Sequence, residues 1–492
     1  MIIFSYLIVG AIALALILLS KSHRVMNAFF ILHTLASLAI GVYMLLTTKI
    51  PIFETGSEYL YVDHLSLYEI LIAALLFFLA SVYANGYVES LMQAQELHRN
   101  NLKIFYTVFS LLLTTVTLAF FSDNLALFWI FAELTTVFSA VLVAILSAKE
   151  NIDAAIKYIF IASGAMLFSF IGLIFLYTLS GEVLSSGTLN WTLLAKNAAL
   201  LTPKMLTASF VFLFIGFAAK SGIFPFHTWL PDAHSKAPSA VSAILSGVLL
   251  NIGMYGILRM YAIVRQTQAE AMVSQFLLGF GLLTVAVAVL NMLSQKNLKM
   301  LIAFSSVEHM GILLLGIGIG TPLALFWTLF YILAHSLTKA SLFFSAGILH
   351  RQYESNLIQD IKDVFSLQPI AGWGFVIGSF AIIGMPPFPI FSAKFFILLE
   401  AFGFSKSLVF AVLLLLVIAS AAFAKFLIEA FTRTSTEAGT EELKTPPLPY
   451  VVRSGMKFPI LSIIFIILAL GIFFPEPLEN LLNEIVYELG YL

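Results

Sequence analysis

The sequence predicts an all-α integral membrane protein of about fourteen transmembrane helices. Three observations predict it. Of 492 residues, 61% are hydrophobic and only 10% are charged, whereas ordinary soluble chains carry about 25% charged residues. Fourteen apolar stretches reach the length of roughly 20 residues needed to cross a bilayer. They run over 3–20, 28–47, 65–84, 103–121, 124–147, 154–178, 206–230, 238–264, 272–293, 299–320, 322–349, 371–402, 407–431 and 456–474. No stretch alternates with period two over ten residues, so a β-barrel is disfavoured.

The first stretch has no basic residue before it and Lys21 and Arg24 after it, which reads as a retained anchor and not a cleaved signal. Orientation follows from the basic residues. With the N-terminus outside, fourteen Lys/Arg fall on the inner side, among them Lys21, Arg24, Lys236, Lys299, Arg351 and Arg453. Six, including Arg259 and Arg265, fall outside. Both termini are then outside, in the cell (inner) membrane, and residues after 474 form an acidic outer tail too short for a further amphipathic arm. The longest loops are 48–64, 179–205 and 432–455.

Two stretches are interrupted. The seventh carries Gly222 and Pro225, the twelfth Gly384, Pro386 and Pro387. Proline removes a ladder donor, which a spanning helix tolerates where protein or water can satisfy the freed groups. The two breaks lie five helices apart and so cross the membrane in opposite directions. That predicts two inverted five-helix repeats, helices 4–8 and 9–13, with helices 7 and 12 broken. The chain divides accordingly into 1–102, 103–264, 265–432 and 433–492.

Zero cysteines and a net charge of −1 exclude disulfide, thiolate-metal and iron–sulfur chemistry and argue against nucleic-acid binding. No cofactor and no metal are expected. His227, Asp232 and His234 match no common zinc spacing and read as an inner-side proton inlet. A charge at mid-bilayer costs roughly 2.5–3.5 kcal/mol on insertion scales, so the few that sit far from helix ends are functional candidates. These are Glu133, Lys220, Glu308, His309, His335, Lys339 and Lys394; His335 and Lys339, four apart, share one face. Lys157, Lys425 and Glu429 lie close enough to the inner surface to snorkel. Desolvation favours neutral lysine and a nearby carboxylate favours the charged form, so buried Lys/Glu pairs can be switched by moving either partner. Pairing that merely locks helices together would explain one such residue better than it explains seven.

The run from Phe217 to Ala243, FAAKSGIFPFHTWLPDAHSKAPSAVSA, together with KMLIAFSSV from Lys299, resembles the antiporter-like membrane subunits of respiratory complex I, Mrp-type cation/proton antiporters and membrane-bound hydrogenases. The resemblance covers nearly the whole chain. It implies that Glu133 pairs with Lys220, that His335, Lys339 and Lys394 continue a hydrated midplane proton path, and that the path is coupled to redox chemistry in a neighbouring subunit. Helix 8 commonly carries Lys or His where this chain has Asn251, a polar relay that cannot hold a proton. Asn251 and SSVEHMG resemble the nickel–iron hydrogenase and formate hydrogenlyase branch, and Glu308 and His309 are expected here to supply the protonatable site that helix 8 lacks.

The expected function is therefore a proton-translocating subunit, with Na⁺ as a second candidate ion, of a multisubunit redox complex. It would have no catalytic centre of its own, with other membrane subunits and the lipid bilayer as partners. A stand-alone cation/proton antiporter, a subunit of an inorganic-carbon uptake system and a purely structural anchor remain alternatives.

Overall fold

The computed structural model describes residues 2–53, 57–184, 186–431 and 450–490; the acidic stretch at 434–443, with the flanking Arg433 and Lys444, lies outside them. Every one of the fourteen apolar stretches is helical. The first six are α1 (Ile2–Leu19), α2 (His23–Thr47), α3 (His64–Gln93), α4 (Leu102–Phe121), α5 (Leu125–Val143) and α6 (Lys149–Val183). A short α7 (Trp191–Lys196) follows in a loop. The seventh stretch is α8 (Pro203–Lys220) and α9 (Trp229–Lys236). The eighth is α10 (Ser239–Ile244), a π turn at Leu245–Leu249, and α11 (Leu250–Val264). Then come α12 (Glu270–Leu293), α13 (Leu298–Ile319), α14 (Pro322–Tyr353) and the short α15 (Val364–Leu367). The twelfth stretch is α16 (Pro369–Ile383) plus α17 (Pro389–Phe404). Last are α18 (Lys406–Phe431), α19 (Ser454–Ile472) and α20 (Glu476–Glu488). Among the described residues, twelve helices are individually long and apolar enough to cross a membrane; the chain is a multi-pass membrane protein.

Local sequence sets the helix ends. Asp63 caps α3 by accepting from Ser66 N at 2.9 Å, while Ser66 Oγ accepts from Asp63 N at 3.0 Å. This reciprocal box satisfies two otherwise orphaned donors. Asn124 caps α5 and Asn297 caps α13 in the same sense, and Pro203, Pro322 and Pro389 occupy first turns, where a missing N–H costs nothing. The two breaks share a left-handed glycine, Gly222 at φ +67° and Gly384 at φ +87°. Each permits a backbone reversal that a side chain resists. In the loop between α2 and α3, Ile52–Phe53 and Tyr61–Val62 (β1 and β2) pair antiparallel, Ile52 opposite Val62.

Burial grades from the centre outward. The most apolar window of Ser239–Val264 is 100% buried, against 28% for α18 and α19, so α10–α11 form the axis, with α13 and α14 beside them. Helices α1, α2, α18 and α19 present apolar side chains outward, as lipid contact requires.

The residues after 474 correct the sequence expectation. They form the amphipathic helix α20, whose Leu481, Leu482, Ile485 and Val486 are buried against α14 and α3. The i, i+1, i+4, i+5 apolar spacing is a helical face that four glutamates obscured. Arg259, counted from the sequence among the helix-end charges, lies 1% exposed inside the bundle. It donates to both oxygens of Asp63 at 2.6 and 2.7 Å and to Tyr255 Oη at 2.8 Å. Its guanidinium also lies 4.0 Å from the Trp191 ring centroid.

Candidate functional site: a buried polar line

A series of polar side chains runs from α5 through the bundle axis to α17. At the α5 end, Glu133 is half-buried and accepts a hydrogen bond from Ser163 Oγ of α6. Lys220, 1% exposed, ends α8 at its break and donates to Thr136 Oγ1 at 2.8 Å. Thr136 lies one turn beyond Glu133 on α5. The two charges thus occupy neighbouring turns, each on a separate neutral partner and not on one another.

The next link passes through the break itself. Ser221 Oγ donates to Leu250 O at 2.9 Å, tying α8 to the residue before Asn251. Asn251 Nδ2 lies 3.2 Å from Ser336 Oγ of α14, 3.3 Å from Gly247 O and 3.2 Å from Glu69 Oε2 of α3. π turns recur at functional positions in helices, and this one lies immediately before the polar contact.

On α14, His335 and Lys339 are fully buried. Lys339 Nζ donates to Ile302 O at 2.8 Å and to Ser305 Oγ, both on α13. The His335 ring sits 5.2 Å from that of His309, and neither of its nitrogens meets a protein partner among the described residues. His309 Nδ1 contacts Tyr331 Oη. Glu308 joins the far end: its Oε1 is 3.1 Å from Lys394 Nζ, its Oε2 3.4 Å from His309 Nε2. Lys394 belongs to α17, just past the second break, and is 6% exposed.

The residues expected at an inner inlet divide. Asp232 is engaged by Lys157 at 2.6 Å at the surface. That leaves Asp232 in a partly exposed ion pair. His227 is 7% exposed. His234 is fully buried, its ring stacked on Phe343 at 4.6 Å. A cavity of about 490 Å³ on the basic side is lined by Glu96, His98, Lys236, Lys299, His350 and Asn356. It ends where Lys299 Nζ donates to Ala237 O at 3.1 Å, three residues from His234.

Sequence reasoning missed Glu69, Lys299 and the Asp63–Arg259 pair. Glu69 is the sixth residue of α3, close enough to the end for position along the helix to suggest water. Lys299 and Arg259 lie near the ends of their apolar stretches, where position alone makes them orienting charges. The signal available for Arg259 was its spacing from Tyr255 and Asn251, every fourth residue on one face of α11.

The fold and its polar axis define a class: multi-pass membrane proteins that hold charged side chains on broken helices. Residues 122–421 match the transmembrane family described as NADH:quinone oxidoreductase/Mrp antiporter. The chain belongs to that family. It is 33% identical over 371 residues to a hydrogenase-4 component F homolog of Methylacidiphilum infernorum (isolate V4), covering 75% of this chain and 77% of the relative. It is 32% identical over 295 residues to NADH-quinone oxidoreductase subunit M of Rickettsia prowazekii (strain Madrid E), covering 60% and 59%. A chain of the membrane-bound sulfane sulfur reductase, an archaeal respiratory membrane complex, superimposes with a TM-score of 0.87 at 23% identity, over 99% of this chain and 96% of that one. This last likeness is one of fold.

Proposed function

We propose that this chain is a proton-translocating, antiporter-like membrane subunit of a multisubunit redox complex of the hydrogenase type. The observation that carries it is the succession of Lys220, Asn251, His335, Lys339, Glu308 and Lys394, all buried, continuing from the half-buried Glu133, since charges kept inside a membrane bundle mark proton paths. Protons enter from the basic side through the Lys299/His350 cavity toward His234, a route that draws on part of the inlet expected from sequence. Motion of Lys220 between Thr136 and Glu133 alters the charge felt further along, as does motion of Lys394 against Glu308. The backbone breaks at Gly222/Pro225 and Gly384/Pro386–Pro387 give both lysines positions next to unpaired helix ends. Both termini lie on the less basic, outer side of the cell membrane, and helices 4–8 and 9–13 act as inverted repeats. The family resemblance to hydrogenase-4 components supports a redox complex over a stand-alone antiporter.

The test is proton uptake by inside-out vesicles carrying the native complex. Lys220→Ala and Lys394→Ala each lower uptake per electron by about tenfold or more, a floor for losing a positioned proton-transfer group, while the complex still assembles. Assembled variants with unchanged uptake would leave only the anchor reading. Co-purification with Mrp-type subunits, and without redox subunits, would favour the stand-alone antiporter.

A further inference from the structure

At the axis of the bundle, α3 contributes a carboxyl group that the line from Glu133 to Lys394 does not include. Glu69 is 2% exposed, and its Oε2 accepts from Asn251 Nδ2 at 3.2 Å. The same amide nitrogen is 3.2 Å from Ser336 Oγ, so α3, α11 and α14 converge on one polar point. On one side the junction reaches Lys220, because Ser221, next in the chain, donates to Leu250 O at 2.9 Å. On the other side it reaches His335, next to Ser336 in the chain.

The side chains of this junction differ in chemistry. An amide and an aliphatic hydroxyl hold no exchangeable charge near neutral pH, so Asn251 and Ser336 can orient a proton carrier and cannot be one. A carboxyl group can be one, and burying it in an apolar bundle is costly, which marks its position as a functional candidate. We infer that Glu69 is the proton-carrying group of the central junction, with Asn251 as its positioning residue. It fills from α3 the place where α11 offers no ionisable side chain. A proton reaching the junction from the Lys220 side binds the Glu69 carboxylate. It leaves for the His335 side, and the carboxylate is regenerated. Glu308 and His309 then serve the Lys394 end of the line, where their partners are.

This inference rests on the proposed proton-translocating function, and the experiment separates the two. Dye-quenching assays of inside-out vesicles carrying the whole complex compare Glu69→Gln, Glu69→Asp and Lys220→Ala with the wild type. Glutamine keeps an acceptor oxygen facing Asn251 but cannot ionise, so a purely structural role would survive it. The expected result is a loss of proton uptake per electron of about tenfold or more in Glu69→Gln, with subunit assembly retained and Glu69→Asp largely active. Full uptake in assembled Glu69→Gln, with uptake lost in Lys220→Ala, overturns the role of Glu69 alone. Full uptake in both overturns the parent reading as well. Should Glu69→Gln fail to assemble, Glu69→Gln/Asn251→Asp returns a carboxyl group to the facing position. Restored uptake supports the inference, and an assembled complex without uptake overturns it.

Discussion

Glu308 shows how a single side chain can bridge two titratable partners inside the bundle. It holds Lys394 through Oε1 and faces His309 through Oε2, so its ionisation bears on both. In a low-dielectric interior, loss of one member of such a pair strands the other, and the interaction is far stronger than in water. Glu308→Gln retains shape and one acceptor oxygen but removes the negative charge that Lys394 meets. We expect coupled proton uptake to fall by about tenfold or more while the complex assembles normally. Unchanged uptake per electron in that variant would remove Glu308 from the path. The position of Glu308 within the tenth apolar stretch was evident from the chain. Its partner was implied by no spacing: residues 308 and 394 meet only because α13 and α17 pack together. Glu69 illustrates the opposite failure, since depth counted along one helix does not reveal that neighbouring helices cover its end.

At the scale of elements, the two broken helices show local chemistry setting global geometry. Gly222 and Gly384 both adopt left-handed backbone conformations, which cost an L-residue with a Cβ roughly 1–2 kcal/mol. At Gly384 an added Cβ would also come within 3.3 Å of Lys394 Cδ, close enough to press on the lysine stem. Gly384→Ala is therefore expected to destabilise the fold by about 1–2 kcal/mol, seen as a lower thermal midpoint of the purified complex. Because the contact falls on Lys394, transport should also decline more than in Gly222→Ala, where the nearest atom is a Leu230 methyl at 3.0 Å. Equal stability of Gly384→Ala and wild type would contradict the assignment of φ as the constraint. Both breaks were legible from glycine and proline in otherwise apolar stretches. The amphipathic helix α20 was less so, because its acidic residues resemble those of a solvated tail until the apolar face is given something to cover.

At the scale of the molecule, the end of the bundle where α3 starts is fastened by ion pairs that tie distant segments together. Arg259 of α11 meets Asp63, 196 residues earlier in the chain, with both side chains 1% exposed. Asp63 also caps α3, and Arg259 lies over the Trp191 ring, so the pair joins the helix start, the bundle axis and α7. Beside it, Glu488 of α20 takes His64 Nδ1 at 2.7 Å and the His64 backbone N at 3.0 Å, seating the C-terminal helix on the start of α3. Removing one member of a buried pair typically costs about 3–5 kcal/mol because the other is left uncompensated. Arg259→Ala is expected to show that loss as a lowered thermal midpoint or as failed assembly. Arg259→Ala/Asp63→Ala should recover part of it. If the double variant is no more stable than the single one, the uncompensated Asp63 charge is not the origin of the loss.

The sequence by itself determined the solvent in which this protein folds, its helical class, the places where two helices break, and most of the charges lying far from water. All of these are properties of one segment at a time: length against bilayer thickness, apolar content, proline within a span. The family resemblance was also written in a contiguous run, from Phe217 to Ala243. Only the tertiary structure decided which charges meet. It placed Lys220 on Thr136 and apart from Glu133, Lys394 on Glu308, Arg259 on Asp63, and Glu69 against Asn251. Hydrogen bonds and ion pairs act over about 3 Å, and no periodicity along a chain says which helix will stand that close to another.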